Sequence, residues 1–241
     1  MRMISRSLLA ILLVLGGLAH AAEIELAQHI PAVIGDNMVI QRDMETPLWG
    51  WAEPGEKVSV EASWGAKASS KATADGKWKV LLETPSYGTG HSITVQGQNR
   101  IVIKNVAIGE VWLCIGQSNM GWKLGNTYQA AAALVEAHAP DFRIFKSAVE
   151  HWHEPLDEVH DRLSEWKPCT PESAEETSAV SYIFGKKLHD ELGIPVGIIQ
   201  QAYAGTPIEG WMPWEIQKDD PRARACLENV RKRLQEKDEQ G

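Results

Sequence analysis

From about Glu23 to Asn105, apolar and polar residues alternate in short runs separated by turn formers. Val58, Val60 and Ala62 interleave with Ser59 and Glu61, the period of a half-buried strand. The same reading predicts strands at Met38–Gln41, Pro47–Trp51, Lys57–Ala62, Lys77–Leu82, Ser92–Gln96 and Ile101–Lys104. Their breakers are Glu53–Glu56, Ala74–Gly76 and Tyr87–Gly90. Asp75-Gly76 between two alternating runs signals a hairpin, because its tight turn needs residues that accept positive φ. Regular turn spacing over this stretch predicts a small all-β sandwich spanning residues 22–106.

After Asn105 the grammar changes. Val111–Ile115 is a continuous apolar run, the mark of a strand covered on both faces. Phe142–Phe145 gives a second strand and Val196–Ile199 a third. Between them Ser178–Leu192 reads as an amphipathic helix with Val180, Ile183, Phe184 and Leu188 on one face. Gly193 stops that helix and Pro195 prevents its resumption. Helix followed by buried strand is the habit of a parallel α/β sheet, predicted over residues 107–241. Three strands fall short of the about five that an open sheet of this kind uses, so the sheet reads as incomplete.

Residues 1–21 read as a cleavable signal peptide. Arg2 and Arg6 precede an apolar stretch, Leu8–Leu18, and Ala19-His20-Ala21 supplies the small-x-small cleavage site. The expected location is therefore periplasmic or extracellular, with no membrane association once the signal is removed. The 241 residues carry 32 acidic and 24 basic side chains, a formal charge of −8 that disfavours nucleic acid as a partner. Cys114, Cys169 and Cys226 match no metal pattern, and in an oxidising compartment one pair could bridge. Tryptophan is over-used, with 10 residues against 4 Tyr and 3 Phe. Trp49, Trp51, Trp78 and Trp112 read as core, whereas Trp122 and Trp211 follow the candidate chemistry and read as ligand contacts.

That chemistry begins at Gly116-Gln117-Ser118-Asn119-Met120, directly after the first buried strand. Open parallel sheets bind ligands beyond the carboxyl ends of their strands, so the Ser118 hydroxyl would be presented where an ester carbonyl could be attacked. The alternative is a turn that merely leaves the strand. A second segment, Ala204 to Trp211, follows the strand that ends near Ala202. There Gly205 would let a backbone N–H approach a ligand, and with the N–H of Ser118 it could stabilise an oxyanion by roughly 3 kcal/mol per donor.

Gly109–Cys114 running into Gly116–Met120 resembles the nucleophile block of the sialate O-acetylesterase family, serine esterases of the SGNH-hydrolase superfamily. Trp166–Glu172, Ser178–Val180 and Pro195–Ile199 leading to Gly205–Glu209 resemble the blocks that follow. Upstream, Met38–Arg42 and Gly50–Gly55 resemble the β-domain of bacterial members. The resemblance implies an SGNH-like α/β fold behind a β-sandwich, and metal-free, cofactor-free removal of O-acetyl groups from sialic acid or another acetylated glycan. It casts Ser118 as nucleophile, Ser118 and Gly205 as the oxyanion hole, and Gln117, Asn119, Thr206 and Glu209 as substrate contacts. Ile115, Gly121 and Ala204 depart from the commoner Ser, Glu and Gly of those blocks.

The family's downstream Asp-x-x-His does not follow Trp211, and no histidine follows His189. Asp157 and His160 have that spacing but stand between the two blocks, and His151, His153 and His160 read as solvated loop side chains. The expectation is a chain that supplies the nucleophile without its base and works weakly by itself. The competing reading is an exported, non-catalytic glycan-binding or interaction module whose working part is the β-sandwich.

Overall fold

A computed structural model describes residues 28–147 and 164–238. The signal segment and the histidines at 151, 153 and 160, with Asp157, lie outside the described residues.

The described residues form ten strands and six α-helices arranged in two regions. The β-rich region contains β1 (Val39–Gln41), β2 (Glu45–Trp51), β3 (Lys57–Ala62), β4 (Lys67–Lys71), β5 (Lys77–Glu83), β6 (Gly88–Gln96) and the start of β7 (Arg100–Gly116). Then come α1 (Ser118–Gly121), α2 (Ala130–Val135), β8 (Ala139–Lys146), β9 (Trp166–Cys169), α3 (Pro171–Glu175), α4 (Ala179–Leu192), β10 (Val196–Ala202), α5 (Trp214–Gln217) and α6 (Pro221–Asp238). One sheet runs β4-β3-β6-β7-β10-β8-β9 with β1 also on β7, and a separate ribbon pairs β2 with β5. β10 lies parallel to both β7 and β8, as the helix-then-strand pattern predicts.

Alternation dictates the β-rich core. β5 is strictly exposed and buried in turn, placing Trp78, Val80 and Leu82 inside. They join Val58, Val60, Ile93 and Val95 from the facing sheet in one cluster. The Thr73–Gly76 turn forms as expected, with Gly76 at φ 78° and its N–H donating to the Thr73 carbonyl. It does not make a two-strand ladder, however: β4 pairs with β3 and β5 with β2.

The two strands expected around Asn105 are one. β7 pairs antiparallel with β6 through Ile108, then parallel with β10 from Glu110 to Gly116. Asn105 sits at φ 52° within it, a backbone state that asparagine tolerates better than most residues. The pairing with β6 shifts register along this stretch, as a bulge requires. The expected division at residue 106 therefore falls inside a continuous strand, with no linker. The first core also takes in Phe145 and Trp166 from β8 and β9.

Two expectations about coverage fail for one reason. Beyond Gly109, where β1 ends, no described strand accompanies β7 on the edge opposite β10. Trp112 and Leu113 are 43% and 62% exposed, so this end of β7 is not covered on both faces. Similarly, α4 turns Val180, Ile183 and Phe184 outward and buries Ala179, Ser181, Tyr182 and Gly185 instead. A Cβ at Gly185 would stand 2.6 Å from the Phe142 ring, so the small face is what lets the helix approach the sheet. Phe184 meets Trp112 edge-on at 5.1 Å, forming an apolar surface beside the free edge. Gly193 ends the helix in the left-handed conformation, as read from the sequence.

All three cysteines are free: Cys114 and Cys169 are buried and Cys226 is exposed. Burial pushes the Cys169 thiol up to about 11 and raises Cys114 as well. A thiol reagent is expected to label Cys226 alone in the native protein and all three after denaturation. Because folding raises the Cys169 value, its stabilising contribution is complete below the ordinary thiol pKa of about 8.5 and is lost as pH climbs toward 11. Denaturation midpoints at pH 8 and pH 10 test the sign.

Candidate active site at the carboxyl rim

Gly116 and Ala202 are register partners at the carboxyl ends of β7 and β10. The chain turns sharply after each. Gly116 has φ 156°, and a Cβ there would stand 3.1 Å from that of Met120. Ser118 opens the short α1 two residues later and is exposed, as are Gln117 and Asn119. Across the strand pair the Tyr203 N–H donates to the Gly116 carbonyl at 3.0 Å, tying the second turn to the first. Gly205, exposed at φ 78°, follows in that turn. The rim thus places the segments of Ser118 and Gly205 beside one another.

The Ser118 turn is anchored from beneath by residues to which the sequence assigned no role. Met120 sends its thioether between the hydroxyls of Ser178 and Ser181, with Sδ···Oγ distances of 3.6 and 3.3 Å. The Trp122 carbonyl accepts the Ala179 N–H, and Gln200 Oε1, on β10, accepts the Ser178 N–H at 2.8 Å. Ser178, Ser181 and Gln200 are buried. Ser178, where the sequence starts the helix, caps α4: its hydroxyl accepts the Ser181 N–H. Met120→Ala is expected to destabilise the fold by about 2–3 kcal/mol through the cavity it leaves, measured by urea denaturation.

The other expected contacts divide. Thr206 spends its hydroxyl internally, donating to the Tyr203 carbonyl and accepting the Trp211 indole N–H, both at 2.8 Å. This pair braces the Gly205 turn and leaves Trp211 partly buried. The carboxylate of Glu209 is exposed beside a carbonyl that accepts the Gln217 amide. Trp122 is exposed next to α1.

A nucleophilic hydroxyl needs a base, and the described histidines lie elsewhere. His189 is on the last turn of α4, at the amino end of β10, with its Nδ1 3.3 Å from Asp190. His138 immediately precedes β8, also at the amino rim. His29 stacks on Trp51, and His91 hydrogen-bonds Ser63 in the β-rich region. Among the described residues no cluster of His, Cys, Asp and Glu could hold a metal ion.

A family model described as "Carbohydrate esterase, sialic acid-specific acetylesterase" matches residues 108–239. Human sialate O-acetylesterase is 28% identical over 195 residues, 74% of this chain and 37% of that protein. The mouse protein of the same name is 29% identical over a span covering 74% of this chain and 36% of its own length. The crystal structure of a carbohydrate acetylesterase from Xanthomonas citri is similar at 34% identity with a TM-score of 0.74, covering 78% of this chain and 43% of that one. The chain thus spans less than half the length of these relatives.

Proposed function

The chain belongs to the sialic acid-specific acetylesterase family of carbohydrate esterases, and from that premise we propose that it takes part in deacetylating O-acetylated sialic acid or a related acetylated glycan through Ser118. The observation that carries this reading is an exposed serine on a braced turn at the carboxyl rim, one strand from the Gly205 turn.

In the proposed reaction the Ser118 hydroxyl attacks the acetyl carbonyl and gives its proton to an imidazole. The N–H groups of Ser118 and Gly205 receive the oxyanion. Collapse of the tetrahedral intermediate returns the proton to the departing sugar hydroxyl and leaves acetyl-Ser118. Water then attacks that ester, releasing acetate and regenerating the serine. Gln117 and Asn119, exposed beside Ser118, contact the sugar on this reading, and Thr206 acts through the shape of the Gly205 turn. The imidazole comes from outside the described residues, and His160→Ala tests one source in this chain. Residues 1–21 direct export.

Acetate release from O-acetylated sialic acid, with the unacetylated sugar as blank, tests the assignment. Release that requires Ser118 supports it. A protein that binds the sugar but releases no acetate in any hydrolysis-competent length would leave the binding-module reading in its place.

A further inference from the structure

The β2–β5 ribbon carries a second surface with ligand-binding chemistry. Register sets Trp49 opposite Lys79 and Trp51 opposite Lys77, while the intervening Leu48, Trp78 and Val80 are buried in the core. Both indoles therefore project from the ribbon's other face, half-buried and in a line with lysines, although Trp49 still packs against the first core as expected. A cavity of about 400 Å³ opens over them, bounded on its far side by Ser70 and Lys71 of β4. His29 stacks on Trp51 with ring centroids 4.5 Å apart and planes within 8°, which fixes that ring. Lys71 and Lys79 are exposed and form no ion pair among the described residues.

Flat indole faces take the C–H faces of sugar rings, and ammonium groups take carboxylates. Such a concentration of lysines is notable in a chain with a net charge of −8. We propose that this cavity binds a carboxylated sugar residue of a glycan, a site separate from the Ser118 rim. It would hold acidic glycans whether or not they carry an acetyl group, and it stands independently of the hydrolase reading.

The test is tryptophan fluorescence titration of the whole chain with sialyllactose, with a glucuronic acid-containing trisaccharide and with lactose. Saturable quenching is expected with at least one acidic sugar, and which of the two responds identifies the source of the carboxylate. Lactose is expected to bind at least about tenfold more weakly, and Lys71→Gln/Lys79→Gln to weaken the acidic sugar by about tenfold. Both changes are at exposed positions, and raised salt should weaken binding in the unmodified chain as a second readout. Ser118→Ala should leave every curve unchanged, so loss of hydrolysis and loss of binding are separable. Equal responses to lactose and the acidic sugars, no saturable response to either acid, or binding indifferent to the lysine changes and to salt would overturn the proposal.

Discussion

Ser118→Ala is expected to lower acetyl-ester hydrolysis by about six orders of magnitude in any form of the protein that also carries the base. Nucleophile and base act as a unit, so the loss depends on whether the imidazole is present. Where it is absent, turnover rests on oxyanion stabilisation and binding alone, at roughly 10³–10⁴ over water. There the same substitution should change the rate little. Measuring kcat with and without Ser118, in the 241-residue chain and in any longer form that hydrolyses the ester, distinguishes the two regimes. A full rate in the shorter chain that survives Ser118→Ala would remove the serine mechanism. The fold should be untouched, because the Ser118 side chain is exposed and the turn is held by Met120, Ser178 and Gln200.

Arg143→Met should cost about 3 kcal/mol of stability, the largest structural effect among these substitutions. Arg143 is 2% exposed on β8. Its Nη1 donates to the carbonyls of Asn37 and Asn105, and its Nε to that of Pro140 at 3.1 Å. Asn37 and Asn105 both have positive φ, and their side chains hydrogen-bond each other at 2.8 Å. One guanidinium therefore pins the turn before β1, the irregular middle of β7, and β8. Burial lowers its pKa from the usual arginine value, yet the group stays charged and must be paired. Methionine would fill the volume but leave three carbonyls unsatisfied. The urea midpoint should fall with the slope unchanged, and Arg143→Lys should recover only part of the loss because it cannot fork. A shift under about 0.5 kcal/mol would mean that water replaces the lost donors.

Much of this architecture was written in alternation. β3 and β5 bury the residues their period-two pattern selects, and β10 takes its parallel place after α4. What failed to show were matters of neighbourhood rather than of local pattern. A run such as Val111–Ile115 is apolar whether one face is covered or two, and only sheet order reveals that β7 has a free edge there. β4, Lys-Ala-Ser-Ser-Lys, has no β-branched or aromatic residue and becomes a strand because β3 presents an edge to it. Trp49 and Trp51 have the spacing of a buried face but sit out of phase with Leu48 and Trp78. At the site, the turns of Ser118 and Gly205 were legible from glycine placement. The support given by Met120, Ser181 and Gln200 was not, since it joins three segments distant in sequence.

The most direct test of the serine assignment is organophosphate labelling of a hydrolysing form of the protein, followed by peptide mass mapping. The account predicts one phosphoryl adduct, on the peptide bearing Ser118, formed in step with loss of acetyl-ester hydrolysis and absent from Ser118→Ala. Inactivation with the adduct on another residue, or an unlabelled Ser118 in a fully inactivated protein, would contradict it.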